Sequence, residues 1–243
     1  VQRLLDHGGV AALSEFVWAH GVNDRAKLAA ACADAHVTLL EADVQRAPDG
    51  RLVLAHPPAR DSDLDFGTFL DAALNAGKGI KLDFKQPDIV AEALAEVARR
   101  TPAVPVLANA DVLDGPGGYR SGFDATEFVL TVMQATPAAI LSLGWETGWY
   151  DPTHGYTAAM AAEMLELVAL AADAHVQFAL RAAYVHASWD VVADLFERAP
   201  AASALLWDTF GDPCDAALDD WLRATLPAHR TSFDLRFTAP RNG

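Results

Sequence analysis

Apolar or β-branched runs alternate with amphipathic stretches along the whole chain. This alternation constrains the fold more than any other feature, because it is the pattern of repeated β-α units. The runs are "FVWAH", "TLLEADV" with its partner "RLVLAH", "GIKLDF", "VPVLANADV", "AILSLGW", "VQFALRA", "ALLWDT" and "TSFDLRF", eight when the hairpin is counted once. Between them Val90, Ala93, Leu94 and Val97 share one helical stripe within residues 88 to 100. Met160, Met164, Leu167 and Ala171 share another within residues 157 to 174. Asp124, followed three residues later by Glu127, reads as a capping box opening a further helix.

Repeats of this number in 243 residues, with no Pro/Gly/Ser-rich linker and no composition break, predict an α/β fold. The expected form is a single (β/α)8 TIM-type barrel over residues 1–243, with a β-hairpin extension after strand 2. A doubly wound open sheet is the alternative. The placement of polar residues favours the barrel: His20, Glu41, Asp43, Asp83, Asn109, Asp111, Trp145, Arg181 and Asp208 all lie at or near strand ends. In a barrel those ends converge on one mouth.

Hydrophobic residues make up 52% of the chain, enough for a sizeable core, and no apolar run approaches the roughly 18 residues of a membrane span. A soluble protein is expected. A start at Val1 rather than Met is compatible with a trimmed leader, so the compartment stays open between cytoplasmic and secreted. The formal charge of −15 argues against nucleic acid or an anionic bilayer as partner. A small anionic substrate remains compatible if the site supplies its own positive charge. Cys32 and Cys214, far apart among apolar helical positions, read as buried free thiols.

The segment "TLLEADVQRAPDGRLVLAHPP" concentrates chemistry in one hairpin. Glu41 and Asp43 leave the same strand face, the chain turns at Pro48-Asp49-Gly50, and the return run ends in His56. In "GIKLDFK" the residues Lys81, Asp83 and Lys85 alternate with an apolar set, which turns the charged set into the barrel. Three converging carboxylates repel one another, and a hard divalent cation with oxygen ligands resolves the conflict. Two other readings stay open on spacing alone. One is an internal salt-bridge network in which Lys81 and Lys85 neutralise the acids, and the other is a Schiff-base lysine site.

His20 and His56 each end an apolar strand beside the carboxylates, as a general acid and base pair would. Among secondary candidates, Asn109 and Asp111 share a strand face at the mouth and Trp145 is a pocket wall or a core residue. Arg181 is a phosphate clamp or the partner of Asp208 or Asp234. The loops "GPGGYRSGFD" and "ETGWYDPTHGY" overhang the mouth, and Tyr119, Trp149, Tyr150 and Tyr156 there suit a partly apolar leaving group.

In order, His20-Gly21, "EADV…APDG…VLAH" and "KLDFK" resemble the glycerophosphodiester phosphodiesterase and spider-venom phospholipase D barrels. The blocks "WAHGVND", "LLEADV", "AHPP", "SDL", "GIKLDFK", "NADVLDGPG", "LSLGW" and the "SW" at Ser188-Trp189 are more similar to the menorin family. The resemblance implies a TIM-type barrel with one divalent cation, Mg²⁺ or Ca²⁺, held by Glu41, Asp43 and Asp83. It further implies catalytic His20 and His56, a phosphate-facing Lys85, and a small phosphodiester or lysophospholipid substrate. Lys81, Asn109, Asp111, Trp145 and Arg181 are the expected substrate contacts. The chain carries "VNDRAKL" where the glycerophosphodiesterases have Pro-Glu-Asn-Thr.

Overall fold

The structure, a computed structural model, describes residues 1–235. Among the described residues nine strands form one sheet: β1 (Trp18–Ala19), β2 (Leu39–Arg46), β3 (Leu52–Leu54), β4 (Gly79–Phe84), β5 (Val106–Leu113), β6 (Ile140–Trp145), β7 (Val176–Arg181), β8 (Ser203–Trp207) and β9 (Thr231–Asp234). Eight of them run in the order β1-β2-β4-β5-β6-β7-β8-β9, every neighbouring pair parallel. They curl into a nearly closed TIM-type barrel, with helices between strands. β3 lies off this path and pairs antiparallel with β2, Val44 opposite Leu54. The "TSFDLRF" run was expected to continue through Arg236 and Phe237, which lie outside the described residues.

The helices are α1 (Gln2–Gly8), α2 (Arg25–Ala33), α3 (Phe66–Asn75), α4 (Val90–Arg100), α5 (Ala125–Ala135), α6 (Ala158–Leu170), α7 (Ala182–Val185), α8 (Trp189–Arg198) and α9 (Ala216–Thr225). Short polar side chains start five of them. Asp24, Asp65, Asp124, Thr157 and Asp215 each accept the backbone N–H three residues on. Each such cap contributes about 1 kcal/mol, and a carboxylate there also meets the positive end of the helix dipole. Four acids of this acidic chain are thereby explained by helix starts rather than by a partner.

The predicted stripe on α4 is buried whole: Val90, Ala93, Leu94 and Val97 face the sheet. Burial of each larger side chain contributes about 1.5–3 kcal/mol, and Leu94→Ala would cost about 2–5 kcal/mol through the cavity it leaves. Of the stripe on α6, Met164, Leu167 and Ala171 are buried, and Met160 packs at the margin. The alternate strand residues fill the barrel interior. Its N-terminal end is plugged by Leu4, Leu13 and Phe16 against Leu39, Leu107 and Ile140.

Above that plug the interior turns polar, with Glu41, Lys81, Asn109, Ser142, Gln177 and Ser232 all buried. One end is sealed by apolar packing, so polar chemistry is confined to the other. Cys214 is buried and burial pushes its thiol up to about 12, which leaves it inert; Cys32 is only partly buried, and neither cysteine is in a disulfide. Among the described residues no helix is long and apolar enough to cross a membrane.

Candidate metal and acid-base site

The C-terminal mouth of the barrel opens into a cavity of about 1040 Å³. Asp43 lines it from β2 and Asp83 from β4, while Glu41, also on β2, is buried. The register sets Glu41 beside Lys81 and Asp43 beside Asp83. One oxygen from each of Glu41, Asp43 and Asp83 lies within 4.8 Å of the other two. The expected carboxylate cluster is therefore assembled by strand pairing.

Each acid is oriented by a second group. Gly21 donates its amide to Glu41 Oε2 at 2.7 Å, and its φ of +61° is a left-handed conformation that glycine adopts without cost. Asn23 donates Nδ2 to Asp43 Oδ2 at 2.6 Å and accepts the Asp43 backbone N–H at 3.0 Å. Asn109 donates Nδ2 to Asp83 Oδ1 at 2.8 Å, and the wholly buried Ser142 donates to Asn109 Oδ1 at 2.7 Å. A carboxylate only accepts, so this chain fixes which way the Asn109 amide points. Asn23 and Ser142 were not anticipated. Asn23 sits in the "VNDRAKL" stretch that departs from the glycerophosphodiesterase pattern, and that stretch proves to orient Asp43 and cap α2.

Burial and the Asp43 charge push the Glu41 carboxyl above its ordinary value. For Asp83 burial acts the same way, but Lys85, Lys81 and the Asn109 hydrogen bond outweigh it and hold the carboxyl below its ordinary value. Lys85 Nζ sits between Asp43 Oδ1 at 2.9 Å and Asp83 Oδ2 at 2.7 Å. These carboxylates outweigh its burial and raise its pKa well above the usual lysine range. Lys85 therefore pairs with the acids, as the salt-bridge reading has it, and it also lines the cavity in which a phosphate contact is expected of it. Lys81, 5% exposed and lining the cavity, makes no hydrogen bond or ion pair with the described residues.

His20 and His56 both line the cavity, as expected. His20 Nδ1 donates to Asp234 Oδ2 at 2.7 Å and lies 3.5 Å from Glu41 Oε2. Burial opposes its protonation, but the Asp234 hydrogen bond and the charges of Glu41 and Asp234 raise its pKa to about 9. His56 Nδ1 lies 2.7 Å from the Pro57 carbonyl oxygen. That oxygen only accepts, so Nδ1 carries a proton and Nε2 is the lone-pair nitrogen of the neutral ring.

The remaining candidates separate. Asp111 lines the cavity, over Gly144; burial and the Asp83 charge push it up to about 7. Glu146, which was not anticipated, lines the same wall and is also raised, chiefly by burial. Trp145 is a core residue and no pocket wall: on the outer face of β6 it packs against Tyr156 with ring centroids 5.0 Å apart. Arg181 does form an ion pair, but with Asp212 in place of Asp208 or Asp234. Its Nε lies 2.9 Å from Asp212 Oδ2, its Nη2 bonds Asp212 Oδ1, and its Nη1 donates to the Gly148 carbonyl at 2.7 Å. Three of the five N–H donors of this fork are thus committed to the protein, and Arg181 also lines the cavity.

Residues 12–238 match the sequence profile of the Menorin N-terminal domain. Human Protein FAM151B is 35% identical over 203 residues, covering 80% of this chain and 72% of its own length. Among solved structures, the glycerophosphodiester phosphodiesterase of Agrobacterium tumefaciens is similar in fold, with a TM-score of 0.51 at 11% identity over 90% of this chain and 96% of that one.

Proposed function

This chain belongs to the Menorin N-terminal domain family, and we propose that its barrel mouth is the site of a metal-dependent phosphodiesterase or phospholipase-D-like lyase. The substrate is a small phosphodiester or lysophospholipid. The reading rests on one observation above the others: oxygens of Glu41, Asp43 and Asp83 lie within 4.8 Å of one another, and Asp43, Asp83, His20 and His56 line one cavity. The phosphodiesterase fold neighbour agrees with it.

The residues fit a hard divalent cation. All three donors are oxygens, and Gly21, Asn23 and Asn109 satisfy some of their lone pairs while leaving others toward a common centre. Lys85 already bridges Asp43 and Asp83, which marks the spot as one that demands positive charge. A bound Mg²⁺ or Ca²⁺ would neutralise phosphoryl oxygens. Lys81, with an ammonium group not bonded to the described residues, adds positive charge for the phosphoryl group from the cavity floor.

The two histidines then take different parts. His56 Nε2 accepts the proton of the attacking hydroxyl, from water or from the substrate itself. His20, whose pKa in the metal-free protein is raised to about 9, gives a proton to the departing alkoxide while Asp234 holds its ring. Attack by water yields a phosphomonoester, and attack by an internal hydroxyl yields a cyclic phosphate. A Schiff-base reading is left with Lys81 only, because a lysine held between two carboxylates is the opposite of an activated amine.

Glycerophosphodiesters and lysophospholipids assayed with Mg²⁺, Ca²⁺ or EDTA test the proposal. Turnover that EDTA abolishes is expected. No turnover on any of them, together with a cation-induced rise in melting temperature, would leave a non-catalytic cation-binding barrel.

A further inference from the structure

Two aromatic side chains stand apart from the rest of the described surface. Trp149 is 84% exposed and Phe210 is 85% exposed, whereas the next large hydrophobic side chain, Leu130, is 49% exposed. Both line the cavity that Asp43, Asp83, His20 and His56 also line. An aromatic side chain left in water forgoes the burial of about 150–250 Å² that such groups otherwise contribute.

The loops that carry them are held by one buried guanidinium. Arg181 donates Nη1 to the carbonyl of Gly148, next to Trp149, and Nε and Nη2 to Asp212, two residues beyond Phe210. The Thr209 N–H, just before Phe210, also donates to Asp212 Oδ2 at 3.2 Å. The Tyr119 ring packs so closely on Gly148 that a Cβ there would lie 2.0 Å from it. Exposure here is a property of anchored backbone.

We infer that Trp149 and Phe210 form an apolar lip, positioned by the Arg181–Asp212 pair, that receives the alkyl or acyl chain of a phosphodiester whose phosphate lies in the cavity. The inference rests on the phosphodiesterase reading and narrows its substrate to one bearing an apolar chain. The lip is continuous with the cavity, so a chain that extends outward from a phosphate near the carboxylates reaches the lip. A macromolecule docked on the lip would cap the opening. An anionic bilayer is disfavoured by the charge of −15. Arg181 is here a positioning residue.

The test compares dimethyl phosphate with methyl octyl phosphate, equal in charge, by calorimetric titration in the presence of Mg²⁺ or Ca²⁺. The wild type should bind the octyl compound about tenfold or more tighter, and the double variant Trp149→Ala/Phe210→Ala should bring that ratio near one. Arg181→Lys keeps the charge but not the planar fork, and should lower the same ratio. If that variant fails to fold, the aromatic double variant, altered only at exposed positions, decides alone. Equal affinity for the two compounds in the wild type, or a ratio kept in the double variant, overturns the lip and leaves the phosphodiesterase reading standing. Binding of neither compound overturns both. Aromatic-dependent binding to phosphatidylcholine vesicles without chain selectivity assigns the lip to a membrane, and self-association abolished in the double variant assigns it to a second copy; either result overturns the single-chain proposal.

Discussion

His20 Nδ1 lies 2.7 Å from Asp234 Oδ2, and that bond joins the end of β1 to the end of β9, the two outermost strands of the parallel path. A barrel-closing contact and the setting of an acid-base group are thus the same interaction. Asp234→Asn should lower the His20 pKa from about 9 toward its ordinary value, because it removes both a charge and a charge-assisted hydrogen bond. Proton NMR titration of the metal-free protein reads this directly. An unchanged titration would mean that Asp234 does not govern the ring.

The same bond gives the stability of the metal-free protein a pH dependence of known sign. A histidine whose pKa is raised by folding stabilises fully below its unfolded value near 6.5, and this contribution is lost as pH rises through about 9. Denaturant melts from pH 6.5 to 9.5 should show a decline in wild type that is shallower in His20→Gln. Parallel curves for the two proteins would count against it.

His175 carries the opposite dependence. Burial is the main cause of its fall to about 4. The folded state therefore excludes a proton that the unfolded state binds, and stability is lost as pH falls from about 6.5 toward 4. The drop corresponds to about 3 kcal/mol. His175→Gln should flatten the acid limb of the stability curve, and an unaltered limb would refute the assignment.

Asp83→Asn separates cation binding from salt bridging. Lys85 keeps Asp43 in the variant, and repulsion among the acids is relieved, so the metal-free cost should be about 1 kcal/mol rather than the roughly 3–5 kcal/mol of a stranded buried charge. In wild type, a divalent ion at about 100 times its dissociation constant should add roughly 2.7 kcal/mol, a rise of about 5–11 °C. The rise should largely vanish in the variant. Thermal melts in EDTA, Mg²⁺ and Ca²⁺ decide it, and no rise in the wild type would falsify the cation site.

Ser142→Ala tests the chain that orients Asp83. Removing the hydroxyl leaves Asn109 Oδ1 without its donor, and cation affinity should weaken about 10–100-fold, as for other second partners of metal ligands. Ser142→Thr should recover part of it. Equal dissociation constants for wild type and Ser142→Ala would show that the chain is structural only.

Much of this molecule was legible from periodicity. The barrel, its hairpin and the α4 stripe follow from alternations of two and of about 3.6 residues, because a strand or helix with one apolar face has few ways to bury it. The convergence of Glu41, Asp43 and Asp83 was legible for the same reason: same-face spacing on neighbouring parallel strands leaves few other outcomes. Local sequence also determined the helix starts at Asp24, Asp65, Asp124, Thr157 and Asp215, since a cap acts over three residues.

What the tertiary structure alone decided is which group faces which across the barrel. Nothing in "GIKLDFK" says that Lys85 lies between two carboxylates while Lys81 makes no hydrogen bond or ion pair with the described residues. That outcome depends on the register of β4 against β2 and on where each long side chain ends. The partners of His20 and Arg181 are 214 and 31 residues away, and Asp234 and Asp212 have no local signature to mark them. Trp145 ends a strand like its neighbours, yet the register shift between Asp111 and Leu113 goes with its place on the outer face. Strand spacing is set by local chemistry; pairing across a closed sheet is set by register and closure, which only the assembled barrel contains.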